Sequence, residues 1–223
     1  EMLSYPPRTG CKNFSNTFEY DYDEKLSVYT AFMGLVDTNE VINISNGEEI
    51  YTYIKNHAER YHMLIDAAGL FIDESNYNIV NAIAAKVEMN PSREYVYLDD
   101  DDNKKVYKEG NSTDYTGRVR DDAFYYYSQK NIIGVDFRQP TNMRGLLIVD
   151  KSLSYTNMAQ AIYRARKLNG GHIMDIIYHK TSAEERIPTK EELYTRMVDN
   201  DIKLINARRN LLRSQALKYM IRS

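Results

Sequence analysis

Five short apolar runs, bounded by polar or turn residues, set the strongest limit on what this chain can fold into. They span residues 62–66, 94–99, 123–127, 146–150 and 173–178. Each is too short for a buried helix, and too evenly apolar for a strand with one wet face. Such runs fit strands covered on both sides, as in parallel sheets. Between them lie stretches with helical spacing. One starts at Ser45, Asn46 and Gly47, with Glu48 and Glu49 in its first turn, and runs to about residue 60. A second covers 78–87. A third covers 154–168 and is closed by Gly170 and Gly171. Strands alternating with helices predict an α/β domain, with a mainly parallel sheet of five or more strands flanked by helices.

The polar segment 99–117 reads as a hairpin or exposed loop. Residues 1–26 carry Pro6, Pro7, Gly10 and an acidic, aromatic stretch at 18–24, and read as an extended arm. Residues 27–45 show no clean repeat. From 189 to 223 the pattern is one long helix. Tyr194, Val198, Ile202, Ile205, Leu212, Ala216 and Met220 fall near a 3.6 period that breaks at Arg209. From Ile202 onward this helix carries six basic residues and no acid. Two readings stay open for it: packing across the domain with a solvated basic face, or contact with nucleic acid or an acidic partner. The expected division is an arm and lead-in segment over 1–45, the α/β domain over 46–185 and a basic helix over 186–223.

Composition narrows the function classes. The apolar fraction of 43% supports a sizeable core, and the net charge of −3 argues against a globally basic nucleic-acid binder. The single cysteine, Cys11, allows no internal disulfide and points to a reducing, intracellular compartment. No apolar run approaches the ~20 residues of a membrane span. The start at Glu1, without a basic and apolar leader, reads as a piece of a longer polypeptide with no signal peptide. Sequons at Asn13, Asn43 and Asn111 are accounted for by the asparagine-rich composition. His57, His62, His172 and His179 show no metal-ligand spacing.

The chemistry-bearing residues cluster after the third run. Ser128 is followed six residues on by Gly134, then by Asp136. Glycine permits a sharp turn, a carboxylate beside it can accept from ribose hydroxyls, and Ser128 can donate to a phosphate of a bound strand. The plainer alternative is a tight turn with a capping Asp. Downstream, Gln160, Arg164 and Lys167 stand at i, i+4 and i+7 and would share one helix face. Arg166 would lie roughly 200° from Arg164 on an undistorted helix. A guanidinium aimed at the terminal phosphate of a nucleotide held elsewhere is one role for this helix. A solvated basic face is the other. No Gly-x4-Gly-Lys-Ser/Thr phosphate-binding loop occurs in the sequence. The Asp73-Glu74 pair mimics a magnesium-holding motif, but without such a loop it reads as an acidic turn.

On these residues the stretch 128–166 resembles the closing motifs of superfamily 2 helicases, in their second RecA-like (C-terminal helicase) domain. The pattern there is Ser/Thr, then Gly-x-Asp six residues on, then Gln-x-x-Gly-Arg-x-x-Arg. Ser128, Gly134, Asp136, Gln160 and Arg164 match; Tyr163 replaces the Gly and Lys167 the last Arg. A narrower likeness covers 62–178, about half the chain. It is to the helicase-like region of a family of very large eukaryotic and giant-virus proteins. It rests on Leu64-Ile-Asp-Ala-Ala-Gly69, the acids at 99–102, Tyr126-Tyr-Ser-Gln-Lys-Asn-Ile-Ile-Gly-Val-Asp136 and Gln160-Ala-Ile-Tyr-Arg-Ala-Arg-Lys-Leu168. Ser128 and Asn131 stand where that pattern has Asp and His.

The resemblance implies a half-site. Arg164, Lys167 and Gln160 would serve catalysis, Asp136 and Gly134 the nucleotide, and Ser128 the nucleic acid. ATP and Mg would be bound only with an upstream first RecA-like domain, on the same polypeptide or a partner chain. The isolated chain would then have no ATPase activity. The rival is a catalytically degenerate interaction or scaffold module of a large, virus-associated assembly, which the two departures at Tyr163 and Lys167 favour.

Overall fold

The computed structural model describes residues 42–44, 46–87, 92–132, 134, 136–167, 170–182 and 184–222. The arm expected over 1–26, with Cys11, lies outside the described residues. The elements are β1 (Ile42–Ile44), α1 (Gly47–Asn56), β2 (Met63–Asp66), α2 (Asn76–Lys86), β3 (Tyr95–Leu98), β4 (Lys104–Lys108), β5 (Asn111–Asp114), β6 (Phe124–Tyr127), β7 (Met143–Val149), α3 (Tyr155–Ile162), β8 (His172–His179) and α4 (Lys190–Arg222). A 3-10 turn, Gln129–Ile132, follows β6.

Among the described residues the strands form one eight-stranded sheet in the order β1-β8-β7-β2-β6-β3-β4-β5. The pairings from β1 through β3 are all parallel. Strands β4 and β5 extend the sheet as an antiparallel hairpin, so the polar segment at 99–117 takes the first of its two expected forms. The α/β class, the mainly parallel sheet and the long C-terminal helix agree with the reading of the sequence.

The five apolar runs became strands because both sheet faces are covered. Strands β2, β3 and β6 are buried at every position. Alternate residues feed two cores. Met63, Ile65, Tyr125, Tyr127, Leu147, Val149, Ile176 and Tyr178 pack with Met158, Ala161 and Ile162 of α3 and Leu193 and Met197 of α4. Leu64, Phe124, Tyr126, Leu146, Ile148 and Ile177 pack with Ile50 and Ile54 of α1 and Ile79, Val80 and Ile83 of α2. The result is three layers.

Each helix starts at the carboxyl edge of the sheet, and a side chain caps it. Asn46, Ser75 and Ser154 accept from the backbone N–H groups of Glu49, Asn78 and Asn157. Thr189 and Glu192 form a reciprocal capping box on α4: Glu192 N donates to Thr189 Oγ1 at 3.2 Å, and Thr189 N to the Glu192 carboxylate at 2.9 Å.

The third helix departs from its sequence pattern. Expected over 154–168, it ends at Ile162. Arg164 N and Ala165 N bond back three residues, to Ala161 O and Ile162 O, each at 3.0 Å. This tightening turns Ala165 into the core at 1% exposure. Gln160, Arg164 and Lys167 therefore do not share a helix face. The 200° separation expected between Arg164 and Arg166 does not hold either, because both lie in a turn. The first helix also stops early, at Asn56 rather than near residue 60.

Candidate functional site

Two sequence-distant segments meet on the α3 side of the sheet. After the 3-10 turn the chain bends at Gly134, whose φ of +83° lies in the left-handed region that glycine tolerates best. It then runs back across this face. Phe137 packs against the rings of Tyr115, Tyr125 and Tyr127, and the Tyr125 hydroxyl donates to Arg138 O at 2.8 Å. This anchor lays residues 136–141 beside the turn at 163–167.

Four links join them. Arg166 Nε donates to Asp136 Oδ1 at 2.9 Å. The Gln139 amide clips the turn, donating through Nε2 to Arg164 O at 2.7 Å and accepting from Arg166 N at 3.1 Å. Lys167 Nζ donates to Thr141 Oγ1 at 3.1 Å. His172 Nδ1 accepts from Lys167 N at 3.2 Å, so Nε2 carries the proton donated to Pro140 O at 2.9 Å. Burial lowers the His172 pKa, which suits this neutral ring. Burial also lowers the Arg164 pKa, and Arg166 adds to the shift, but a guanidinium stays charged.

Asp136, Gly134, Arg164 and Lys167 are thus brought to one surface. Gln160 sits in the last turn of α3, half-buried. Ser128 joins another cluster, at the carboxyl end of β6. Its hydroxyl donates to Asn131 Oδ1 at 2.6 Å, and Asn76 Nδ2 donates to the same oxygen at 3.2 Å. Asn131 Nδ2 donates to Asp102 Oδ1 at 3.1 Å. Ser128 and Asn131, the two departures from the resembled pattern, therefore bond each other.

In open parallel sheets ligands favour the crevice where connections leave adjacent strands toward opposite faces. Here that crevice lies beside β2, because α2 covers one face while the segment after β6 covers the other. The loop after β2 occupies it. Asp66 accepts from the N–H groups of Gly69, Leu70 and Phe71 at 2.9–3.0 Å. Gln129 Nε2 donates across to Ala67 O at 3.3 Å. A Cβ at Gly69 would lie 2.7 Å from Gln129 Oε1, so the two segments are in close contact.

The 136–167 surface offers cationic groups, hydrogen-bond donors and one carboxylate. It can stabilise an anionic group, and it lacks the loop that would cradle a triphosphate. Gln139, Thr141 and His172 organise it, and no sequence pattern marked them: their partners are backbone atoms or side chains more than twenty residues away. Among the described residues, no three His, Cys, Asp or Glu side chains gather as metal ligands, and no helix is long and apolar enough to cross a membrane. No family model, curated protein or solved structure matches the chain.

Proposed function

We propose that this chain is the receiving half of a composite nucleotide site, in the manner of a helicase-like second RecA domain. The observation that carries the proposal is the joining of the Gly134–Asp136 turn to the 164–167 turn by the Asp136–Arg166 pair and the Gln139 clip. In this role Asp136 and Gly134 face the sugar of a nucleotide, and Arg164 and Lys167 supply charge toward its outer phosphate. Gln160 lies one turn back on α3 as support. Lysine gives a point charge where the resembled pattern has a planar fork, which weakens directional stabilisation. ATP and its magnesium would be held by the other half, since no residues here cradle the inner phosphates. Nucleic acid is a proposed second partner.

The test has two readouts. Purified residues 1–223 are expected to show negligible ATP hydrolysis. Titration of the isotope-labelled chain with Mg-ATP is expected to shift the amide resonances of Gly134, Asp136, Arg164 and Lys167, with weak affinity, and Arg164→Ala is expected to reduce those shifts. Substantial turnover abolished by Arg164→Ala would sink the composite-site reading.

The rival is a degenerate interaction module. It is favoured by the exposed apolar residues of α4, where Ile202, Leu204, Ile205, Leu211 and Leu212 are 48–65% exposed. Complete absence of nucleotide-dependent shifts supports it over the composite site.

A further inference from the structure

A cleft of about 550 Å³ opens at the carboxyl edge, between the loops after β7 and β8 and the side of α4. It lies at the start of α3, where Asn200 of α4 donates to Lys151 O and Leu153 O at 3.0 Å. The 164–167 turn lies past the other end of α3, roughly 12 Å along the helix axis. This cleft is separate from the Asp136–Lys167 surface.

Lys151, Arg186, Arg196 and Lys203 line the cleft with Glu184, Glu185, Ser182 and Asn200. The charge balance depends on which groups are already engaged. The Glu185 carboxylate is turned inward. It accepts from the Tyr178 hydroxyl, and from Thr181 N and Thr181 Oγ1 at 3.0 Å each. Its side chain is 12% exposed. Lys151 and Arg196 approach it only at 3.9 and 3.8 Å, beyond hydrogen-bond distance. Arg186 is paired with Glu192.

Arg196 is held by one end. Its Nη1 donates to the Tyr178 hydroxyl at 3.0 Å, and the same nitrogen faces the Glu185 carboxylate. Lys151 is 51% exposed and Arg196 41%. Two lysines and an oriented guanidinium therefore face the opening against one exposed carboxylate, Glu184, while the inner acid is saturated by donors. Among the described residues the lining is polar, with Pro188 its one apolar member and no aromatic ring. Nothing there would stack on a base or take an apolar ligand. A polyanion recognised by its charged groups alone fits such a lining.

We infer that this cleft is a binding site for a run of phosphate groups, whether the backbone of a single nucleic-acid strand or a free oligophosphate. Arg196 grips one phosphate through its fork, with Tyr178 fixing its orientation. Lys151 and Lys203 neutralise the flanking phosphates as point charges. The basic residues further along α4, Arg209 and Arg213, are not part of the site: they point about 120° away from the face that carries Arg196 and Lys203, by the helical repeat.

Labelled oligothymidine is to be titrated by fluorescence anisotropy at several salt concentrations, with inorganic tripolyphosphate as competitor. The variant K151Q/K203Q changes two solvent-facing side chains, so the fold should persist. It is expected to weaken binding about tenfold, and to flatten the log–log salt slope by roughly 1.4 for two lost phosphate contacts. Arg196→Lys keeps the charge but loses the fork and should fall between. R209Q/R213Q should stay within about twofold of the parent, as expected for charges outside the contact. Displacement of oligothymidine by tripolyphosphate supports recognition of phosphate alone. Binding of tripolyphosphate without oligothymidine supports the site and assigns it to free oligophosphates. Wild-type affinity in K151Q/K203Q, an equal loss in R209Q/R213Q, or no binding of either probe overturns the inference.

Discussion

At the amino edge of the parallel sheet most buried polar side chains act as donors, whereas at the carboxyl edge carboxylates accept from loop N–H groups. Arg93, 4% exposed, donates to three backbone carbonyls, those of Asp122, Ala58 and Tyr61, each at 2.8 Å. His172 and Gln139 donate to Pro140 O and Arg164 O at the same end of the fold. Among the described residues the one buried carboxylate there, Asp175, is held by two bonds from Arg144 at 2.8 Å and one from Tyr61 at 2.6 Å. At the other edge Asp66, Asp99, Asp150 and Glu185 each accept from backbone N–H groups of their own loops. The helix starts at this edge are capped by Asn46, Ser75, Ser154 and Thr189, so the acids serve the loops that follow the strands. The lesson for function is that these four acids are already engaged by their own loops. A foreign anion arriving there must be met by side-chain cations.

The amino edge should yield the largest effect. Arg93→Met keeps the aliphatic bulk but strands three carbonyls, and is expected to cost about 4 kcal/mol of stability in urea unfolding. A loss below about 1 kcal/mol would erase the contrast between the edges.

An intermediate effect is expected at Glu185. Burial opposes its ionisation, but the Tyr178 hydroxyl and the Thr181 donors outweigh it and hold the carboxyl pKa at about 2, below the ordinary 4.5. A depressed carboxyl contributes stability above its ordinary pKa, and loses it as pH falls toward the folded value. Glu185→Gln should therefore cost about 2 kcal/mol at neutral pH. The gap from the parent should close between pH 4.5 and 2. A gap that is constant with pH would show that the carboxylate's charge plays no part.

Ser128→Ala should have the smallest effect, about 1 kcal/mol, because Asn131 keeps its bond from Asn76. Thermal unfolding resolves a change of that size, and a much larger loss would mark the Ser128 cluster as a main support of the carboxyl edge.

The strands were legible because parallel sheets demand unbroken apolar runs, and residues such as Leu64, Tyr126 and Ile148 had no alternative but the interior. The helix starts near Asn46 and Ser154 were legible for a similar local reason. The order of strands was not, since it is fixed by contacts between distant runs. The end of α3 was misplaced because Arg164, Arg166 and Lys167 are good helix formers. The turn that overrides them depends on Gln139, a residue from another segment. Arg93 was invisible for the same reason: its partners are backbone carbonyls of other segments, which leave no spacing to read. Of the residues expected to act together, Asp136, Gly134, Arg164 and Lys167 lie on one surface, Ser128 joins a separate cluster, and the shared helix face does not form.

The position of β1 bears on how the chain reaches this state. Ile42 stands opposite Ile177, and among the described residues β1 pairs with β8 alone. The first described strand is thus completed by the last. During synthesis β1 must wait, unpaired, until nearly the whole domain has emerged, and closing that long loop carries an entropic cost that local helices avoid. Folding of this domain should be slow for its size, with a late step that seals the β1–β8 border.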